Sequence, residues 1–195
     1  MILEAILTAL LLGWALRGSL SRLADTRLNY AWMIFVPLGL SIASSALNYA
    51  HAVPSSSPIF GAVHILGLVT WIVFTVANIS IPGAELILAG LVVNLVAVAA
   101  NGGTMPVSYG GLVIAYGKEG ARHWMAVFPR VKDMLIDHTT RLWLLCDVVP
   151  IPRPFSMGFV YSIGDIITSI GGFIAIVALM RKPSRSERKS AEGAA

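Results

Sequence analysis

The sequence predicts an all-α integral membrane protein with about five transmembrane helices, its N-terminus outside and a long outer loop between the fourth and fifth. Three observations carry that expectation. Apolar residues make up 56% of the 195-residue chain and charged residues only 12%, about half the charge of an ordinary soluble domain. Five apolar runs are separated by short polar linkers. Mean hydropathy is +0.78.

The first run, Ile2 to Leu16, is apolar but for Glu4 and Thr8 and stops at Arg17. It is short for a bilayer, because fifteen residues at 1.5 Å each reach only about 23 Å. No basic residue precedes it and no Ala-x-Ala site follows, so it reads as a retained helix and not as a cleaved signal. Arg17, Arg22 and Arg27 then make the next linker basic against Asp25. Short basic linkers stay in the cytoplasm, which places the N-terminus outside.

Ala31 to Val53 forms the second span, with Trp32 and Tyr49 as interfacial anchors, and Pro54 to Pro58 is an outer turn. Ile59 to Asn78 is the third span, Ile79 to Gly83 turns it back, and Leu86 to Ala100 is the fourth. Asn101-Gly102-Gly103 reads as a helix C-cap with a turn, since glycine accepts the left-handed conformation that a helix end needs. From Val107 to Ser162 polar residues interleave with aromatics. Within Ala121 to Leu145, apolar residues recur at roughly helical spacing, with an interruption at Pro129, as expected of amphipathic helices lying in the headgroup plane. The last span, Asp165 to Met180, gives way to the basic tail RKPSRSERK. The organisation is therefore one membrane domain over 1–180, including the outer loop 101–162, and a disordered cytoplasmic tail over 181–195. Eight of the 14 basic residues lie in the first linker and the tail, which agree on orientation.

That orientation gathers polar residues toward the outer face. Asn48, His51, His64, Asn94, Asn101 and Asp165 all fall in or near the outer halves of their helices, and ionisable groups inside a membrane mark a site by default. Each also has a plain structural role open to it. Asp165 can cap the last helix and His64 can hydrogen-bond a neighbouring backbone. His51 and His138 sit at the interface. Asp147, between Cys146 and Val148, is explained by neither capping nor solubility. Cys146 is the single cysteine and reads as a buried thiol.

Two resemblances follow from these motifs. NGGTMP at 101–106, LLCDVVPIP at 144–152 and YSIGDIITSIG at 161–171 together resemble a family of small bacterial membrane proteins of unknown function. A second, local resemblance over about 40 residues is to lipoprotein signal peptidases: Arg141-Leu142, Asp147, Pro154-Phe155 and Ser162-Ile163-Gly164-Asp165 fall in the order of that family's landmarks, with Ser162 and Gly164 standing where it has Asn and Ala. This implies catalytic aspartates at Asp147 and Asp165, sharing a proton. Asn101, Gly102, Gly103, His64 and Arg141 would supply substrate or structural support.

The leading functional expectation is an aspartyl-type membrane hydrolase acting on a membrane-embedded peptide or lipid-linked substrate. The alternatives are a non-catalytic lipid- or ligand-binding or transport protein, and an assembly partner, so enzyme status stays open. No cofactor is expected, and no metal, because no His/Asp/Glu pair has ligand spacing on a helix. The expected partner is the bilayer, with the tail touching anionic lipid; nucleic acid is not expected. The expected location is the bacterial plasma membrane, multi-pass, with the 101–162 loop extracytoplasmic.

Overall fold

The computed structural model describes residues 2–50, 53, 57–127, 134–152 and 159–181. Expectations placed on His51, the turn residues 54–56, Pro129, Pro154-Phe155 and the tail from Lys182 lie outside those residues, as do the side chains of Asn48 and Tyr49. Among the described residues there are seven α-helices: α1 (Ile2–Ala15), α2 (Leu20–Ala24), α3 (Phe35–Tyr49), α4 (Pro58–Ala77), α5 (Ala84–Ala100), α6 (Tyr109–Val127) and α7 (Ile163–Arg181). Two short strands, β1 (Val149–Ile151) and β2 (Phe159–Tyr161), pair antiparallel with Pro150 opposite Val160. The all-α expectation is corrected to this extent.

Local sequence explains the helix ends. Arg17 takes a left-handed φ of 61°, and Gly18 N–H donates to Gly13 O at 2.8 Å, a glycine-type termination carried by arginine. The span expected from Ala31 begins instead as a 3-10 turn, Ala31–Ile34, before α3. Pro37 is the reason: without an N–H it cannot bond back to residue 33, so α-helix starts only where Pro37 falls in the first turn. Ser57 caps α4 and Pro58 occupies its first turn. At the end of α5, Gly102 and Gly103 have φ of 67° and 88°, and Gly103 N–H donates to Val98 O at 2.8 Å, the expected C-cap.

The packed order of the helices is α3, α4, α5, α7, α1. Gly61 near the start of α4 lies against Gly102 and Gly103 at the end of α5, while Gly83 before α5 lies against Gly171 in the middle of α7 and Gly90 against Gly164 at its start. Both pairs are therefore antiparallel. α1 runs parallel to α7: Gly13 and Gly18 pack on Met180, and Ser19 N–H donates to Met180 O at 2.9 Å. One end of the bundle thus holds the first linker and the end of α7. Asn78 belongs to it too, its amide donating to Asn29 O at 3.0 Å and its Oδ1 accepting from Asn29 N–H at 2.8 Å. The opposite end carries everything from Asn101 to Ser162 that is described.

That second end differs most from expectation. The amphipathic helix spans Tyr109–Val127, with a break at Gly117 (φ 76°, ψ 167°), and the segment from Met134 to Asp147 is turns and bridges with one 3-10 turn at Trp143–Leu145 instead of an α-helix. Val107 bridges both Leu135 and Asp147 in parallel, through Ile136 N–H to Val107 O at 3.0 Å and Asp147 N–H to Pro106 O at 3.0 Å. Backbone pairing across long loops outweighs the helical spacing of 121–145.

Two helices, α4 and α7, are long and apolar enough to cross a membrane, and three shorter apolar helical stretches cover Glu4–Ala15, Ala31–Leu47 and Ala84–Ala100. Large apolar side chains face outward, with Leu11 67% exposed, Phe35 69% and Trp14 74%. In water each such side chain would forgo about 1.5–3 kcal/mol of burial free energy.

Candidate functional site

The site is built where α7 starts. Ser162 caps α7: its Oγ accepts from Asp165 N–H at 2.9 Å. Asp165 reaches back, its Oδ2 accepting from Ser162 N–H at 3.3 Å, so the two form a reciprocal capping box. Asp165 is therefore not the capping residue itself, as expected from sequence, but stands one turn inside the helix. Its other oxygen, Oδ1, accepts from Asn94 Nδ2 at 2.8 Å, and Asn94 Oδ1 accepts from Ser162 Oγ at 2.8 Å. Asn94, buried on α5, thus locks both members of the box.

Asp147 approaches from the extended segment, its backbone held on both sides of Val107. Its carboxyl group makes no hydrogen bond among the described residues. Burial, and then the charge of Asp165, push its pKa up to about 8. A carboxyl in this state keeps its proton at neutral pH. Beside it Cys146 is fully buried, and burial followed by Asp147 pushes its thiol up to about 11, so it is inert as a nucleophile.

The supporting residues act through the backbone. The Asn101 amide donates to Ala97 O at 2.8 Å and Arg141 O at 2.9 Å, and its Oδ1 accepts from Arg141 N–H at 2.9 Å. The loop that leads to Asp147 is thereby tied to the end of α5. Arg141 contributes its main chain here, and its side chain is exposed. Gly103 packs against Gly61 so closely that neither position has room for a Cβ. Its carbonyl accepts from His64 Nδ1 at 3.2 Å. These residues frame the end of the bundle, and the carboxylates stand apart from them.

A family model, a family of unknown function (DUF5317), matches residues 25–177. The chain belongs to that family. An uncharacterised protein of Thermotoga maritima is similar to it, 32% identical over 134 residues that cover 64% of this chain and 70% of the relative. No solved structure matches the chain.

Two clefts open near the same end. One, of about 340 Å³, lies between α3 and α4 beside His64. The other, of about 280 Å³, is polar and is lined by Asn101, Thr104, Asp137, Thr139 and Thr140. Neither is lined by Asp147 or Asp165. Asp137 lies well below the usual carboxylate range because Thr139 donates side-chain and backbone hydrogen bonds to it, which makes it the anchor of a turn. Ser162 and Asn94 were named from sequence but given no part in the site that the structure assigns them. The S-x-x-D spacing of a capping box was readable for Ser162, whereas nothing near Asn94 announces a partner 71 residues away.

Proposed function

We propose that this chain is a multi-pass protein of the bacterial plasma membrane, oriented with residues 101–162 outside, and that Asp147 and Asp165 form an aspartyl-type hydrolytic pair acting on a membrane-embedded substrate. The membrane part is supported by the outward apolar side chains and by the grouping of Arg17, Arg22 and Arg27 at the same bundle end as Arg181. The hydrolase part rests on one observation, a half-buried carboxyl that makes no hydrogen bond among the described residues and feels the charge of a second carboxyl whose oxygens both accept from N–H donors. Environments that separate two carboxyl groups in this way assign acid and base. Asp165, held by Asn94 and Ser162, takes a proton from water as the water oxygen bonds to the scissile carbonyl carbon. Asp147 delivers its proton to the carbonyl oxygen.

The test is cleavage of a fluorophore–quencher peptide carrying an internal diacylglyceryl-cysteine, with peptide on both sides of it, by the protein in phosphatidylglycerol vesicles. Cleavage is expected to fall as pH rises through about 8, where Asp147 loses its proton. Asp147→Asn and Asp165→Asn are each expected to slow it by about 10²–10⁴-fold with the fold intact, the usual contribution of an acid or base. Asparagine at 165 keeps an acceptor for Ser162 N–H but turns a donor toward the Asn94 amide, so the thermal midpoint of each variant is measured beside its cleavage rate. Persistent cleavage in both variants, or none by the natural protein, overturns the hydrolytic assignment. The cleft beside His64 favours a second reading, ligand binding without chemistry.

A further inference from the structure

We infer that Asn94 is the positioning residue of the carboxyl pair: its amide is held so that it can only donate to Asp165, and the proton of the pair is thereby left to Asp147. The inference rests on reading Asp147 and Asp165 as one pair and adds what decides between them. Asn94 itself is 6% exposed on α5, so it acts through Asp165 and not on a substrate.

A main-chain group sets the direction of the ring. Asp165 N–H can only donate, and it occupies one lone pair of Ser162 Oγ at 2.9 Å. Ser162 is fully buried, and the acceptor that its hydroxyl proton meets is Asn94 Oδ1 at 2.8 Å. With Oδ1 so engaged, the amide nitrogen is the atom that faces Asp165 Oδ1, also at 2.8 Å. Turning the amide over would strand the Ser162 proton and set an amide oxygen against a carboxylate oxygen, two acceptors with no proton between them.

Packing leaves the amide no second seat. A Cβ on Gly164 would run into Asn94 Oδ1 and Gly90 O, so the missing side chain at 164 is what admits Asn94 beside α7. Ser162 N–H closes the other side of the carboxylate, donating to Asp165 Oδ2 at 3.3 Å. Two donors therefore face the charge of Asp165. Asp147 feels that charge and has no donor of its own among the described residues. Hydrogen bonds to the charged form of a carboxyl favour that form, and neighbouring carboxyls share one proton. It goes to the member without donors.

The experiment exchanges the two groups in the full chain, held in phosphatidylglycerol vesicles. Infrared spectra at about pH 6, below the value of about 8 at which Asp147 gives up its proton, are expected to show a protonated-carboxyl band that Asp147→Asn removes. Asn94→Asp sets an acceptor against Asp165 Oδ1, so an extra proton binds between positions 94 and 165. A second band is expected from it, one that survives Asp147→Asn. Cleavage of the lipid-modified peptide is expected to slow about ten- to a hundredfold, the worth of one hydrogen bond to a charged group. Asn94→Asp combined with Asp165→Asn reverses donor and acceptor and keeps every other bond of the ring. This double variant is expected to lose the second band and to recover about tenfold in folding constant over the product of the two single losses. Its cleavage stays lost, because the charge has moved to α5. Where Asn94→Asp alone fails to fold, recovery of the fold in the double variant supports the ring, and failure of both overturns it. No second band in a folded Asn94→Asp, or no recovery in the double variant, overturns the positioning role. A natural protein that shows this pattern of bands and cleaves nothing overturns the hydrolytic reading alone.

Discussion

At the residue scale, the informative contrast is between two aspartates in similar sequence surroundings. Asp147 pays for its position in pH dependence. Its folded pKa, about 8, is above the ordinary 3.8, so the folded state holds the proton more tightly than the unfolded chain, and stability fully present below 3.8 is lost progressively as pH rises from there to about 8 and is level above it. The thermal midpoint of the natural protein is expected to fall between pH 5 and pH 8, and that of Asp147→Asn to fall less. An equal fall in both would show that Asp147 is not the group responsible. Asp165 depends on Asn94, and Asn94→Ala leaves both Asp165 Oδ1 and Ser162 Oγ without their partner. A loss of about 1–3 kcal/mol is expected by chemical denaturation, the cost of stranding a buried polar group. The oddity of Asp147 was legible in sequence, because a carboxylate between Cys146 and Val148 has no local explanation. Its reason was not, because the segment is held in place by backbone hydrogen bonds to Pro106 and Ser108, about forty residues upstream.

At the element scale, α5 and α7 meet through glycines. A Cβ at Gly90 would run into the Gly164 carbonyl and Thr168, and one at Gly171 would lie 2.6 Å from Gly83 O. Backbone obstacles of this kind do not move aside as a flexible side chain does. Gly90→Ala is expected to cost about 1–3 kcal/mol through overpacking. Gly39→Ala, with nothing within 4 Å, is expected to be neutral or to stabilise by up to about 1 kcal/mol through helix propensity. Thermal midpoints in one detergent compare the two, and equal behaviour would contradict the close α5–α7 contact. The helices themselves were legible to within a turn, since apolar length, Ser57-Pro58 and Asn101-Gly102-Gly103 act locally. The hairpin of β1 and β2 and the start of α6 at Tyr109 were not. Strand pairing is set by partners distant in sequence, and the Gly117 break hides the period of α6.

At the scale of the whole molecule, the basic linker and the end of α7 share one end of the bundle, and the carboxylates share the other. In a Cys146→Ala background, a cysteine replacing the exposed Lys118 is expected to react with an impermeant maleimide in intact cells, and one replacing the exposed Asp25 only after permeabilisation. The reverse pattern would overturn the orientation. The antiparallel order of α4, α5 and α7 and the parallel order of α1 and α7 are the directions that five crossings would have with either face of the membrane at the N-terminus, so the labelling alone decides the orientation.

The sequence by itself determined the helical, apolar character of this chain, the ends of its apolar helices to within about a turn, and the clustering of its basic residues, because composition and capping act within a few residues. It also singled out Asp147, Asp165, Asn101 and His64. Only the tertiary structure decided their separate parts. Asn101 and His64 are tied to backbone carbonyls, Asp165 is locked to Asn94 and Ser162, and Asp147 is left with a proton and no hydrogen bond among the described residues. These outcomes depend on contacts between segments about 40 to 70 residues apart, and the pattern of nearby residues carries no information about which distant group arrives.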